Sequence, residues 1–139
     1  MLTVHATTIA IDGRGVLLRG RPGSGKSDLA LRLIEDGAEL VADDQTALNA
    51  EDGRVIASAP AALSGLLEVR GVGIVTLPYR ESVALSLLAD LDAEPVRLPE
   101  ATDDTISGIR LPRLAVAPFE ASAPAKLRLA LRQGVGVVP

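Results

Sequence analysis

Gly20-Arg21-Pro22-Gly23-Ser24-Gly25-Lys26-Ser27 fills the pattern G-x-x-x-x-G-K-[ST] at every fixed position. Its surroundings matter as much as the match. Val16 to Arg19 reads as a strand running into the glycines. From Ser27 to Asp36 the apolar residues Leu29, Ala30, Leu33 and Ile34 recur at helical spacing, and Gly37 supplies a stop. A strand, a glycine loop and a helix in that order make a phosphate-binding loop. The backbone N–H groups of Gly20, Gly23, Ser24 and Gly25 can curl around phosphate oxygens, and the helix adds its positive N-terminal end. Lys26 would reach the β and γ phosphates of a nucleotide, and the Ser27 hydroxyl would ligate Mg²⁺. The chain holds two lysines, Lys26 and Lys126, so one standing in this slot is unlike chance. A plain glycine-rich turn is the alternative that the flanking strand and helix argue against.

A phosphate loop alone says only that a polyphosphate binds. Asp43-Asp44, one helix later, bears on what is done with it. Leu40-Val41-Ala42-Asp43 has the form of an apolar strand ending in an aspartate, the usual carrier of a Mg²⁺ shell in P-loop proteins. One carboxylate suffices for that. A second beside it can take the proton of an attacking hydroxyl, because neighbouring like charges raise one of the two pKa values. Read without further context, the pair is equally well a solvated acidic turn.

The rest of the chain gives the frame. Thr3 to Ile11 alternates in the β-favouring way, Asp12-Gly13-Arg14-Gly15 reads as a tight turn, and together with Val16–Arg19 they predict a hairpin feeding the loop. Glu51-Asp52-Gly53 is expected to turn the chain between strands at Thr46–Asn49 and Arg54–Ala59. Pro60 to Leu67 predicts a short helix, Val83 to Leu88 a strand, and Arg113 to Ala117 a late strand. Asp90 to Pro112, with three prolines, reads as loops around short strands, and Ala125 to Arg132 as a closing helix. The expected class is α/β, a mixed β-sheet with one helix after the phosphate loop and another at the C-terminal end.

Composition narrows the function. A length of 139 residues suits one domain, residues 1–139. The chain is 47% hydrophobic with 1% aromatic residues, so the core is built from aliphatic side chains and platforms for stacking bases are essentially lacking. A formal net charge of -4 argues against a nucleic-acid surface. With no cysteine there is no disulfide framework and no thiolate zinc site. No signal-peptide pattern and no apolar run of membrane-spanning length is present, so a cytoplasmic location without membrane contact is the expectation.

Gly23 to Asp44 resembles the core of the HPr kinase/phosphorylase family. There a G-x-x-G-x-G-K-S loop is followed at this interval by G-H-R-L-V-A-D-D, which stands here as Gly37-Ala38-Glu39-Leu40-Val41-Ala42-Asp43-Asp44. The family's second signature, E-I-R-G-L-G-I, is matched by Glu68-Val69-Arg70-Gly71-Val72-Gly73-Ile74. The resemblance covers nearly the whole chain, as the family's C-terminal catalytic domain. It implies that Lys26 binds phosphate, that Ser27 and Glu68 are Mg²⁺ ligands beside the Asp43 read above, and that Asp44 is the proton-handling carboxylate. It also implies a catalytic-site role for His5, the only histidine, in Val4-His5-Ala6 where the family has V-H-G, and for Arg97, in Val96-Arg97-Leu98 where the family has D-R-L. On residue chemistry alone His5 would be a structural strand histidine, Arg97 a surface arginine, and Glu68 to Gly73 a turn with a charge pair.

What the resemblance implies as a whole is an ATP- and Mg²⁺-dependent kinase acting on a serine of an HPr-like phosphocarrier protein, assembled as a homo-oligomer, a hexamer in the family. One departure bears on direction. The family's phosphorylase activity goes with a P-x-K-x-G-R-N loop, and Pro118-Phe119-Glu120-Ala121-Ser122-Ala123-Pro124 lacks its basic residues, so weak or absent reverse activity is expected. Two other readings remain: a small-metabolite P-loop kinase, and a nucleotide-binding regulatory module without catalysis.

Overall fold

The computed structural model describes residues 1–136. Eleven strands and two helices follow one another as β1 Leu2–Val4, β2 Ala6–Ile11, β3 Arg14–Arg19, α1 Lys26–Glu35, β4 Glu39–Ala42, β5 Thr46–Glu51, β6 Arg54–Ser58, β7 Leu66–Val69, β8 Gly73–Thr76, β9 Ser82–Asp90, β10 Thr102–Ile106, β11 Ile109–Ala115 and α2 Ala123–Gln133. Nine strands form one mixed sheet along the path β1-β5-β6-β9-β3-β2-β4, with β11 added beside β9 and β10 beside β11. Strands β3 and β9 run parallel, as do β9 and β11. This is the expected α/β fold with a mixed sheet.

Three hairpins are closed by two residues each. Ile11 pairs with Arg14 across Asp12-Gly13, Glu51 with Arg54 across Asp52-Gly53, and Ile106 with Ile109 across Ser107-Gly108. Both central residues of each turn have positive φ, the twist that joins antiparallel strands without splaying them.

The sheet carries core on both faces. On one, Leu29 and Leu33 of α1 and Leu127 of α2 pack with Ile9, Val16 and Leu87. On the other, Leu17, Val41, Leu48, Val55 and Leu85 gather where β5 and β6 fold over the central strands. All six residues of β2 are therefore buried, although the sequence there suggests a half-exposed strand. The expected strand Thr3–Ile11 is also broken, at His5, where β1 leaves to pair with β5 and β2 continues between β3 and β4.

Elsewhere Pro60–Leu67 is helical only over a single 3-10 turn, Ala61–Leu63. From Leu66 the chain zips antiparallel onto β8, which satisfies its backbone better than another helical turn would. The late strand begins earlier than expected, at Ile109. It tolerates Pro112 because only β10 flanks that residue, pairing with β9 starting at Arg113. Helix α1 ends after Glu35 as Gly37 N–H donates to Ile34 O at 3.0 Å and Ala38 N–H to Leu33 O at 3.0 Å, the paired bonds that close a helix on a glycine.

Candidate active site

The site lies where β3, α1 and β4 end or begin around strand β2, which runs between β3 and β4. Strand β3 delivers Gly20 to Gly25, and α1 starts at Lys26 with Gly25 at its N-cap. No side chain caps this helix, so its first-turn N–H groups keep their capacity for an anion. Gly25 takes φ 103°, a conformation that side chains resist, and a Cβ there would also strike Phe119. The loop is braced from within. Lys26 Nζ donates to Gly20 O at 2.6 Å and to Arg21 O at 3.0 Å. Ser24 Oγ is buried without a hydrogen-bond partner among the described residues. A polar atom left unsatisfied inside a glycine loop suits a loop built to meet a polar ligand.

Asp43 follows β4 directly and is only 6% exposed. Its carboxylate accepts three hydrogen bonds. Ser27 Oγ donates to Oδ1 at 2.6 Å, Thr7 Oγ1 donates to the same oxygen at 3.0 Å, and the backbone N–H of Glu68 donates to Oδ2 at 2.9 Å. Burial of a carboxylate is costly without such partners, and these three tie α1, β2 and β7 to the end of β4. Asp44, the next residue, is exposed and has φ 65°. Few side chains adopt that backbone, aspartate among them.

The base of the loop is fixed by charge. Arg19, the last residue of β3, donates to Asp104 Oδ2 at 2.8 Å and to Asp90 Oδ2 at 3.4 Å, binding β3 to β10 and β9. Burial opposes the Arg19 charge, yet the hydrogen bonds and attraction of Asp104 and Asp90 hold its guanidinium above its ordinary value. The hydrogen bond from Arg19, then that from the Thr105 N–H, holds the Asp104 carboxyl below the usual carboxylate range. Asp92 Oδ2 accepts the Arg21 N–H at 3.0 Å, which fastens the 91–101 loop to the glycines.

Direct bonds thus join Ser27, Asp43 and the backbone of Glu68, with Lys26 beside them on the same loop, while the Glu68 side chain itself is exposed. His5 is exposed at the break between β1 and β2, two residues before Thr7. Arg97 is exposed on the 91–101 loop, outside the hydrogen-bonded cluster. Sequence reasoning passed over Thr7 and Arg32. Thr7 carries no motif and is revealed only by the neighbourhood of β2 and β4. Arg32 reaches from α1 to Pro118 O and, at 3.2 Å, to Glu120 O. Its spacing of four from Asp28, which it also pairs with at 3.1 Å, was its only trace in the sequence.

A hydroxyl and a carboxylate in contact, Ser27 and Asp43, offer the oxygen ligand chemistry that Mg²⁺ prefers, and the open helix terminus with unpartnered Ser24 Oγ suits a polyphosphate. The residues present fit both.

A mixed sheet that feeds a glycine loop into a helix, with a buried aspartate bonded to the helix's first serine, defines an α/β P-loop domain. Residues 1–79 match the HPr Serine kinase C-terminal domain. The chain belongs to that family. It is 44% identical over 75 residues to the HPr kinase/phosphorylase of Clostridium tetani, an alignment covering 54% of this chain and 25% of that protein. With the HPr kinase/phosphorylase of Limosilactobacillus reuteri it shares 34% identity over 128 residues, 82% of this chain and 40% of the relative. The chain therefore spans roughly a quarter to two fifths of the length of these curated relatives. Its fold superposes on the Hpr(Ser) kinase/phosphatase from Coxiella burnetii with a TM-score of 0.82 at 28% identity, over 95% of each chain. Among the described residues no helix is long and apolar enough to cross a membrane.

Proposed function

We propose that residues 1–139 form one catalytic domain that transfers the γ-phosphoryl group of ATP to a serine of an HPr-like phosphocarrier protein, with Mg²⁺, in the cytoplasm and as a homo-oligomer. The observation that carries this reading is the division between two adjacent carboxylates. Asp43 is buried and its oxygens are taken up by three donors, whereas Asp44 is exposed beside it in a backbone conformation that costs stability. A carboxylate so engaged suits a fixed role in holding a metal shell. A free one suits proton transfer.

In this reading Gly20, Gly23, Ser24, Gly25 and Lys26 hold the phosphates, and Ser27, Asp43 and Glu68 would hold Mg²⁺. When bound, the metal would neutralise charge on the phosphates and fix their orientation. Asp44 accepts the proton of the attacking serine hydroxyl. His5 and Arg97, both exposed, meet the incoming protein or the transferring group from outside the bonded cluster. The relatives' names, HPr kinase/phosphorylase and Hpr(Ser) kinase/phosphatase, support phosphoryl transfer with a serine of HPr as the acceptor.

The test is mass spectrometry of a purified HPr-like carrier after incubation with this chain, ATP and Mg²⁺. A gain of one phosphate on serine is expected. ATP turnover with a small metabolite but no carrier modification would indicate a metabolite kinase, and ATP binding without any transfer a regulatory module.

A further inference from the structure

Composition leaves almost no platform on which a base could stack, but the single phenylalanine of the chain is an exposed ring that stands on the phosphate loop. Phe119 is 70% exposed. It approaches Gly25 through its distal edge: a Cβ on Gly25 would lie 2.8 Å from Cζ and 3.1 Å from Cε1. Contact by the edge together with that exposure leaves ring surface open. The position is also held from below. Arg32 on α1 donates to the carbonyl oxygens of Pro118 and Glu120, on either side of Phe119, while its guanidinium pairs with Asp28. Glu120 in turn pairs with Lys126 at 3.1 Å. The helix that would carry the phosphates thus sets the ring beside them.

We propose that Phe119 is a specificity-determining contact for the nucleotide, an aromatic platform on which the base rests while the glycine loop holds the phosphates. This rests on the nucleotide reading of the loop given above. An isolated apolar side chain on a surface needs no explanation in general. Here two features set Phe119 apart: the glycine at position 25 makes room for it, and two backbone carbonyls around it are clamped by one arginine. A ring fixed in advance loses little entropy when a base stacks on it. Any base presents a π-face, so the platform adds affinity for nucleosides over bare polyphosphates without choosing strongly among bases.

The test compares ATP with inorganic tripolyphosphate, which has the phosphates and no base. Binding of each to the full chain is measured by calorimetry with Mg²⁺ for the wild type, Phe119→Ala and Phe119→Trp. Phe119→Ala is expected to weaken ATP binding roughly 5- to 150-fold, the usual worth of one stacked base, and to leave tripolyphosphate within about twofold. Phe119→Trp is expected to keep ATP affinity and, as the only tryptophan in the chain, to change its fluorescence with ATP but not with tripolyphosphate. Equal loss of both ligands in Phe119→Ala would reduce the ring to a prop for the loop, and no loss of either would remove it from the site. A wild type that binds tripolyphosphate as tightly as ATP also overturns the platform while leaving the phosphate loop standing. A wild type that binds neither overturns the loop reading itself.

Discussion

Ser27 Oγ donates a 2.6 Å hydrogen bond to Asp43 Oδ1, joining the first turn of α1 to the end of β4. Two side chains expected to share a metal are thus already in contact through their own oxygens. Their bond also closes the phosphate loop onto the sheet. Ser27→Ala should accordingly act twice. It removes one of three donors to a buried carboxylate, at a cost of about 1–3 kcal/mol in stability, and it removes a proposed metal ligand. Urea denaturation and the Mg²⁺ dependence of transfer measure the two effects separately. Unchanged stability would mean that the Thr7 and Glu68 donors suffice for Asp43.

Lys26→Ala should weaken ATP binding and abolish transfer, because the proposed role of the lysine is to neutralise phosphate charge in ground and transition states alike. The fold should survive, since the bonds lost are those of Nζ to two loop carbonyls. Calorimetry with ATP and a carrier-phosphorylation assay give the two readouts. Full transfer activity in the variant would take the loop out of the mechanism.

Acid should loosen the base of the loop through Asp104. Arg19 holds that carboxyl below its ordinary value of 3.8, so the folded chain keeps it ionised where the unfolded chain has begun to take up a proton. The contribution to stability is fully present above the ordinary value and is lost as pH falls through the lower folded one. Both side chains are about a third exposed, so the pair contributes on the order of 0.5–1 kcal/mol. Asp104→Asn should lower stability by that amount near neutrality, and the gap to wild type should close as pH drops below about 4. A gap that widens on acidification, measured by urea titration across this range, would contradict the sign.

Much of the fold was legible because it is locally encoded. The Asp12-Gly13 and Asp52-Gly53 turns, the strand into Gly20, the helix from Lys26 to Glu35 and its end at Gly37 all rest on short-range chemistry. What escaped depends on distant partners. That β2 is buried on both faces follows from β5 and β6 folding over it, which no alternation in Ala6–Ile11 announces. Strand β7 forms at Leu66 because β8 lies ready to pair with it. In the site, Ser27 and Asp43 are adjacent to recognisable motifs, whereas Thr7 becomes a partner of Asp43 only through the antiparallel register of β2 and β4. Phe119 was equally hidden, since it stands 94 positions along the chain from the Gly25 beside which it packs.

The segment Pro118 to Pro124 bears on the direction of the reaction. It contains no arginine or lysine, and its backbone is engaged by Arg32. Phosphorolysis needs inorganic phosphate held against a phosphorylated serine, which favours added positive charge that this segment does not supply. Serine-phosphorylated carrier incubated with phosphate should therefore release pyrophosphate slowly or not at all. Rapid release would show that cations elsewhere in the chain serve the reverse reaction.

Asp43 and Asp44 are alike in composition and opposite in setting, and their isosteric amides should separate them. Asp44→Asn alters an exposed side chain next to an untouched phosphate loop, so nucleotide binding should stay nearly intact. The proposed base for the serine proton is lost, and the transfer rate should fall by roughly 10²–10⁴, the usual worth of a positioned base. Asp43→Asn replaces one of two acceptor oxygens by an NH₂ group that meets either the Ser27 and Thr7 hydroxyls or the Glu68 N–H. It should cost stability, by about 1–3 kcal/mol, and weaken the hold on Mg²⁺. Raising the metal concentration should then restore part of its activity, whereas Asp44→Asn should not respond. Rescue of Asp44→Asn by Mg²⁺, with Asp43→Asn inactive at every metal concentration, would exchange the two roles and make the buried aspartate the base.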